Sequence, residues 1–411
     1  MTLPAPPITP QLGCVDNYRA KVFRWDRTNS PVPGLRMVAE LPKLSAVSWE
    51  RVDQDMADAS VSFAPSTGDD CCALLAPRWN ARGELIQTGI WPYAHELAIY
   101  RGDAERPCFM GPITPIPEQV EPDGNTESIT LYAKDILHYL DVRLTHQDMW
   151  FQYAAPDRPI AWGEADPVAI AQWLINEATA RDDPGLRQAM TYTMTGRLVQ
   201  RTGRNREFYV GTELRDLARA GISFYTVGRS AYVHGDWQPY EGKRLKRLTQ
   251  ADFQGKSTIL VDALNAATAV SVVGAVPSGS TDPTNTPPAK SYTGGVDPFF
   301  GEIERLVKAD RITDQATLDA IGRRVVGYGN PPPTVITLDG SAVLSPKAPV
   351  SIHDLIPSRW FELSAQGTCR QVTQVMKLNH VKVDWSGGGQ DSGMERVQVA
   401  FSPPPITSEV A

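Results

Sequence analysis

Several residue patterns in this chain could support catalysis, but each of them is incomplete. Gly255, Lys256 and Ser257 match the end of a phosphate-binding P-loop, yet position 250 holds Gln where the motif needs its first Gly. The sequence contains no G-x-S-x-G nucleophile elbow. The histidines form no H-x-H, H-E-x-x-H or H-x-x-E pair, so we predict no zinc site at any of them: His95, His138, His146, His234, His353 and His380.

The cysteines and carboxylates also give no complete site. The five cysteines are odd in number and contain no C-x-x-C pair, which predicts free thiols in a reducing cytoplasm: Cys14, Cys71, Cys72, Cys108 and Cys369. A Cys–His pair that meets only in space stays open, as does a two-carboxylate glycosidase site among 47 acidic residues. We therefore predict no catalytic residue, no cofactor, no metal and no enzyme activity.

Basic charge is concentrated in one segment, although the formal net charge of the chain is −7 and its pI is near 5.5. Between Arg187 and Arg247 there are twelve basic and five acidic residues. The acidic balance of the whole chain argues against non-specific DNA binding. A solvated face and a nucleic-acid surface are alternatives to the sharper hypothesis, which is a patch that docks an acidic partner: Arg197, Arg201, Arg204, Arg206, Lys243, Arg244, Lys246 and Arg247.

The first third of the chain is predicted to be β structure. In the strand that begins near Tyr18 the alternation slips at Phe23, which predicts a β-bulge or a strand buried on both faces. Residues 59–63 alternate strictly between apolar and Ser side chains. A hairpin is expected to turn at Arg101-Gly-Asp103. A short helix with Ile136, Leu137 and Leu140 on one face should follow.

Residues 144–250 are predicted to mix helices and strands. Asp166 and Pro167 are typical of a helix start, and the apolar stripe after them runs to Ala178. A second helix from Thr212 should end at Gly221. Two strands, 222–226 and 231–234, flank Gly228 as a β-hairpin.

Residues 251–411 return to β structure around one helix. Residues 277–298 consist largely of Ser, Thr, Pro, Gly and Asn, which cannot build a core, and we expect an exposed excursion there. Asp314 should cap a helix that ends at Gly329. The alternation of Val381, Val383 and Trp385, with its return through 397–401, predicts a long β-hairpin.

Four tryptophans lie near predicted loops: Trp91, Trp150, Trp162 and Trp237. They could bind sugar or pack at subunit contacts, while local packing is the simpler alternative. No run of eighteen apolar residues exists, so we predict no transmembrane span. The Pro-rich start, residues 1–10, lacks the charged and apolar regions of a signal peptide.

Two separated β regions, roughly 44–147 and 296–404, each contain short fragments in a distinctive order. The first carries Trp49-Glu-Arg51, Tyr100-Arg-Gly, Gly111-Pro-Ile113 and Asp135-Ile-Leu-x-Tyr-Leu-Asp141, and the second carries Leu344-Ser-Pro and Leu355-Ile-Pro357. In this order they resemble the minor tail or baseplate-hub proteins of long-tailed phages that infect actinobacteria.

The resemblance implies a mainly β fold with an α+β insertion. Two tail-tube-like β-barrels would occupy 1–143, which includes an N-terminal arm, and 251–411, which carries the 277–298 excursion; a mixed α/β domain would occupy 144–250. It also implies a homotrimer in which six barrels match the six-fold tail tube around a channel for DNA.

The resemblance further implies partners and a place of action. The chain would bind the distal tail and tail-tube proteins, other minor tail proteins or fibres, and the tape measure protein, with phage DNA only in transit. It would reside at the virion tail tip after assembly in the host bacterial cytoplasm. The alternatives are a receptor- or carbohydrate-binding tail module and, third, a cell-wall hydrolase.

Overall fold

The computed structural model describes most of the chain. The described residues are 12, 17–26, 34–42, 44–63, 78–79, 81–83, 85–87, 89–120, 126–144, 159–180, 182–196, 199–204, 209–219, 221–235, 245–274, 289–309, 315–332, 334–338, 342–387 and 393–402. Two of the predicted features, the Asp314 cap and most of the hairpin tip after Gly387, lie outside these residues.

The N-terminal part is built from strands, as the alternation predicted. The register of the first strand shifts between Val22 and Phe23, so the predicted bulge is confirmed. Asp135 caps a 3-10 helix, Ile136–Leu140, by accepting the N–H of Leu137. The strands are β1 (Tyr18–Asp26), β2 (Gly34–Glu40), β3 (Leu44–Val52), β4 (Asp58–Phe63), β5 (Arg78–Trp79), β6 (Leu85–Gln87), β7 (His95–Arg101), β8 (Phe109–Pro112), β9 (Glu118–Val120) and β10 (Thr126–Lys134).

The middle part mixes helices and strands, as predicted. The side chain of Asp166 accepts the N–H of Val168, with Pro167 in the first turn, so the predicted helix start is confirmed. Gly228 takes the left-handed conformation, φ +60°, at the predicted hairpin. The elements are β11 (Pro159–Ala165), α1 (Pro167–Ala178), α2 (Leu186–Ala189), β12 (Met190–Thr193), β13 (Val199–Arg204), α3 (Val210–Arg219), β14 (Ile222–Val227) and β15 (Ser230–Gly235).

The C-terminal part contains one longer helix, α4 (Gln315–Gly329), which ends at the predicted residue. Short 3-10 helices occupy Gln250–Asp252 and Ala263–Asn265. The strands are β16 (Lys246–Thr249), β17 (Phe253–Gln254), β18 (Ser257–Val261), β19 (Ala269–Gly274), β20 (Lys290–Gly294), β21 (Glu304–Ala309), β22 (Thr334–Leu338), β23 (Ala342–Leu344), β24 (Trp360–Gln366), β25 (Gln371–Ser386) and β26 (Glu395–Ser402).

The largest sheet joins strands from both ends of the chain. Its order is β17-β23-β26-β25-β3-β4-β10-β9, and β16 and β24 are attached along the first half of β25. The predicted hairpin of β25 and β26 is confirmed. The second half of β25 also pairs with β3, so that Val383 lies opposite Trp49.

A four-stranded sheet, β2-β1-β7-β8, packs against the large sheet. One buried hydrophobic core contains residues of both sheets, including Val22 and Leu97 from the first and Trp49, Val61 and Val383 from the second. The main core therefore draws on both ends of the chain.

A mainly β chain with an α/β part is confirmed, but the described strands close no barrel. We predicted one barrel in 1–143 and another in 251–411. Instead β3 and β25, one from each range, pair along seven residues, so the two ranges share a sheet and a core. The predicted domain limits at 143 and 250 stay predictions.

The middle part forms a second core. A mixed sheet, β12-β15-β14, lies under α1 and α3, with β12 and β15 parallel. Apolar residues of the helices pack on this sheet together with Ile136, Leu137 and Leu140 of the preceding 3-10 helix. The middle part is thus attached to the N-terminal strands through a continuous apolar contact.

The described residues between 267 and 329 form a third, smaller core, and we call them the 267–329 unit. Its sheet, β20-β19-β21, is covered on one face by α4, where Val270 and Val272 meet Leu318 and Val325. Gly322 permits this approach, because a Cβ there would meet the side chain of Thr293. The predicted excursion 277–298 is described only from 289 onward, and part of that end is strand β20.

Among the described residues, no helix is both long and apolar enough to cross a membrane.

Candidate functional site

The predicted basic patch is only partly described. Arg197, Arg206, Lys243 and Arg244 lie outside the described residues. Arg201 and Arg204 stand on β13, opposite Trp162 and Pro159 of β11. Lys246 and Arg247 stand on β16 at the exposed side of the large sheet.

Within the described side chains, the basic segment makes contacts inside the chain. Lys246 lies 3.5 Å from Asp354, and Arg247 lies 3.2 Å from Glu362 on the neighbouring strand. Three further arginines also have partners inside the chain. Arg187 donates to Thr179 and Asn176 at the end of α1. Arg215 pairs with Asp141, and Arg229 pairs with Glu96. The docking patch stays a prediction, and part of its charge serves to hold the fold.

A group of buried charged residues, which we call the buried junction, connects the two large sheets. Arg101 at the end of β7 forms an ion pair with Glu395 at the start of β26, with 2.7 Å between nitrogen and oxygen. Tyr18 of β1 donates a 2.5 Å hydrogen bond to the same carboxylate. Burial and the neighbouring Glu395 charge raise the pKa of Tyr18 well above its ordinary value, so the phenol stays protonated as a donor.

Arg51 of β3 adds a second buried cation to the junction. Its guanidinium lies 5.0 Å from the centre of the Trp49 ring and donates to the carbonyls of Ile352 and Leu355, at 3.1 and 2.9 Å. Burial lowers the pKa of Arg51 to about 10. The side chain therefore fixes the loop before β24 against β3.

A second buried ion pair joins the large sheet to the middle part. Lys377 of β25 lies 2.6 Å from Asp53, and it also donates to the hydroxyl of Ser223 on β14. Gln54 and Ser358 beside it take left-handed backbone conformations, with φ of +64° and +67°. Left-handed backbone conformations cost non-glycine residues about 1–3 kcal/mol each. Both side chains hydrogen-bond to β14, and these contacts between the large sheet and the middle part offset the cost.

Glu96 and Asp135 complete the attachment of the middle part. Arg229, in the hairpin between β14 and β15, forms a two-point contact with buried Glu96 at 2.8 and 3.0 Å. Asp135 accepts hydrogen bonds from Ala57, Leu137 and Thr226. Burial raises the pKa of Asp135 to about 7, although these hydrogen bonds act in the opposite direction.

The described side chains offer little for nucleophilic chemistry. Cys108 is buried, and desolvation raises its pKa to about 12, so the thiol stays protonated at neutral pH. No group of three or more His, Cys, Asp or Glu among the described residues is placed to bind a metal ion.

The 267–329 unit exposes an apolar face, which we call the outer face. Tyr292 of β20 and Leu306 of β21 both lie opposite Ser271 of β19, so they stand in one row on the side of the sheet away from α4. They are 56% and 64% exposed. The Tyr292 hydroxyl lies 3.2 Å from a carboxylate oxygen of Glu302, so acidic groups border the row.

A fixed turn places one more aromatic ring beside this sheet. Phe299 is 86% exposed, yet its backbone N–H and that of Phe300 donate to the side chain of Asp297. Asn330 after α4 donates to the same carboxylate. These hydrogen bonds lower the pKa of Asp297, and the bond from the Phe300 N–H has the largest effect. The turn is ordered although its largest side chain makes little contact with the chain itself.

Sequence reasoning missed this surface. The predicted excursion ends at residue 298, one position before two consecutive phenylalanines. Two adjacent aromatic residues that follow a polar segment and belong to no alternating strand pattern were the available sign of an exposed apolar surface. Of the four tryptophans near predicted loops, Trp91 is 42% exposed, Trp162 lies on β11, and Trp150 and Trp237 lie outside the described residues.

Comparison with known proteins finds similarity of fold alone. No family model matches the chain, and no curated protein sequence matches it. The 43 kDa tail protein of prophage MuSo2 from Shewanella oneidensis superposes with a TM-score of 0.55 at 8% identity, over 95% of this chain and 100% of that chain. A tail protein from Neisseria meningitidis MC58 gives 0.54 at 10% identity, over 95% and 98% of the two chains.

A third tail protein overlaps nearly as far. Prophage tail protein gp18 from Listeria monocytogenes EGD-e superposes with a TM-score of 0.51 at 11% identity, over 92% of this chain and 94% of that chain. The chain thus shares its overall fold, over nearly its full length, with proteins of phage tails. The more specific resemblance to phages of actinobacteria stays a prediction.

Proposed function

We propose that this chain is a structural protein of a phage tail, and that it forms the hub at the tail tip. The single observation that carries the proposal is the near end-to-end overlap of fold with three phage tail proteins. Two of them match over 95% of this chain, so the overlap includes both the sheets and the middle part. A shared fold permits several functions, and the arrangement of this chain's own surfaces supports an assembly role.

The interior and the surface of the chain differ in a way that suits an assembly part. Buried ion pairs hold the sheets and the middle part in a fixed arrangement. The outer face, in contrast, exposes Tyr292 and Leu306, and the turn beside it exposes Phe299. Exposed apolar side chains grouped on an ordered surface are typical of a protein contact.

The hub we propose is a homotrimer. Three chains would form a closed ring around a central channel, with tube-like β regions facing the six-fold tail tube. The outer face of one chain would contact the next chain in this ring. The partners would be the tail-tube and distal tail proteins, other minor tail proteins or fibres, and the tape measure protein.

DNA would pass the hub without being retained. The net charge of −7 suits a channel of this kind, because a basic channel would bind the phosphate backbone. The protein would act at the virion tail tip after assembly in the bacterial cytoplasm. We assign it no catalytic residue, cofactor or metal.

The test is the mass of the purified protein, alone and with tail-tube protein, by analytical ultracentrifugation. We expect a trimer, and a larger complex when tube protein is added. Phe299→Ser and Leu306→Ser should shift the population toward monomer, while Val142→Ser, which is at a position 48% exposed elsewhere, should not. A monomer that persists with tube protein present would contradict the proposal.

A further inference from the structure

A second exposed aromatic group lies far from the outer face in sequence, in the turn before β7. Trp91 and Tyr93 are 42% and 41% exposed. Because they are two residues apart, their Cα atoms are at most about 7 Å from each other. Both residues are therefore presented by one small part of the surface.

The turn that carries these rings is fixed by its backbone. The N–H of Trp91 donates to Nδ1 of His95 at 3.0 Å, and the N–H of Tyr93 donates to the carbonyl of Ile113 at 2.9 Å. His95 is buried, and its burial lowers its pKa, so the ring is neutral and can accept. A surface that is ordered before binding loses less conformational entropy when a ligand arrives.

Tyr93 has a strained backbone conformation and is held by two contacts with His138. Its φ is +59°, a left-handed value that is unfavourable for a bulky residue. Its ring stacks on His138 with 5.9 Å between ring centres and 22° between planes. Its hydroxyl lies 3.2 Å from Nε2 of the same histidine. Glycine would fit this backbone without strain, so the side chain has a reason to be there.

Polar groups continue from Tyr93 across the surface. His138 bonds to Asp141 at 3.1 Å, and Asp141 pairs with Arg215 at 2.7 Å. Arg215 also bonds Asp55 at 2.7 Å, and the Asp55 side chain is 56% exposed. Two carboxylates and one guanidinium leave a formal charge of about −1, which favours ligands that donate hydrogen bonds and disfavours anions.

From this arrangement we propose that Trp91, Tyr93, His138, Asp141, Arg215 and Asp55 form a binding site for a neutral sugar ring. The inference that the sugar belongs to a bacterial surface glycan rests on the proposed phage-tail function. The aromatic rings offer flat apolar faces for the C–H groups of a pyranose. The exposed Asp55 carboxylate accepts from its hydroxyls, and the guanidinium of Arg215 donates to its oxygens. Both oxygens of Asp141 are bonded to Arg215 or His138, so this residue positions the other two. The internal contacts of Arg215 and Tyr93 hold the site in shape, and they leave 42% of Trp91 and 41% of Tyr93 exposed to a ligand.

The test uses the full-length protein and soluble probes. Calorimetry would be run with a hexamer of β-1,4-linked N-acetylglucosamine, a galactose tetramer and a mannose trimer, and with poly(glycerol phosphate) as the anionic probe. We expect a Kd of about 1 mM or tighter for at least one neutral probe. Trp91 fluorescence should change on binding, and the change should be missing in Trp91→Ala.

The variants separate binding from folding. Tyr93→Gly removes the ring and relieves the backbone strain, so it should weaken binding about tenfold or more with an unfolding midpoint close to that of the wild type. Tyr132→Ala is the matched control, since Tyr132 is 43% exposed on β10. It should bind like the wild type.

Three results would overturn the inference. The first is no binding of any neutral probe at about 10 mM. The second is tighter binding of poly(glycerol phosphate) than of every neutral probe. The third is unchanged binding in both Trp91→Ala and Tyr93→Gly. None of these results bears on the mass of the protein, so the proposed hub role is tested separately.

Discussion

The buried junction and the 267–329 unit are built differently. In the junction, Arg101, Glu395 and Tyr18 place charges and a phenol inside the protein, between strands that are far apart in sequence. The 267–329 unit instead has a small apolar core from adjacent segments, and it leaves Phe299 and Leu306 in solvent. The comparison indicates that the junction specifies the arrangement of the chain, whereas the unit presents a surface to another molecule.

The largest expected effect is at the junction. Glu395→Ala leaves the guanidinium of Arg101 buried without its carboxylate, so the free energy of unfolding should fall by about 3–5 kcal/mol. Urea unfolding of the full chain measures the change. Asp58→Ala removes one partner of the exposed Lys134–Asp58 pair and should cost less than about 1 kcal/mol. Equal effects at the two sites would remove the distinction between buried and exposed pairs.

The next largest effect compares a glycine in the N-terminal sheet with a glycine in the 267–329 unit. Gly111 of β8 lies against the backbone of Lys134 and Asp135, so a Cβ has no room; Gly111→Ala should destabilise the protein by about 3 kcal/mol. Gly327 in α4 has open space around it, and Gly327→Ala should be neutral or stabilise by up to about 1 kcal/mol. Thermal unfolding of both variants checks the opposite signs. A tolerated Gly111→Ala would show that β8 and β10 can separate.

A pH series sharpens the comparison at Asp135. Its folded pKa of about 7 lies above the unfolded value, so its contribution to stability is complete at low pH and is lost as the pH rises through 7. The stability of the wild type relative to Asp135→Asn should therefore fall by about 2.5 kcal/mol between roughly pH 5 and pH 8.

The matched control for the pH series is in the 267–329 unit. The folded pKa of Asp297 is lowered, so this carboxylate is already ionised throughout that range. The difference between the wild type and Asp297→Asn should stay constant from roughly pH 5 to pH 8. A constant difference for Asp135→Asn as well would mean that the buried carboxyl does not titrate there.

The smallest expected effect on stability is at the outer face. Phe299→Ser removes a ring that is 86% exposed, so the unfolding free energy should stay within about 0.5 kcal/mol of the wild type. Phe361→Ser, at a position 1% exposed in the main core, should cost about 3–5 kcal/mol in the same assay. A large loss from Phe299→Ser would mean that the ring supports the unit itself.

The sequence predicted local structure better than long-range pairing. Alternation predicted the β25–β26 hairpin, and the slip at Phe23 predicted the bulge, because both depend on neighbouring residues. It could not predict that β3 pairs with β25, since either strand could satisfy its pattern with another partner. Alternation within 1–143 and within 251–411, together with the resemblance, predicts separate barrels, and it contains no signal for a sheet shared by the two ranges. The sequence predicts a turn at Arg101, and only the folded chain shows this residue beside Glu395.

The pairing of β3 with β25 also fixes an order of events during synthesis. The edge of β3 receives its partner only after about 320 further residues have been made, which at roughly 10 residues per second takes about half a minute. Until then the N-terminal strands present an unpaired edge, and Trp49 and Arg51 lack the segments that cover them. A nascent chain of this protein therefore depends, for most of its translation, on whatever shields that edge from other chains in the cell.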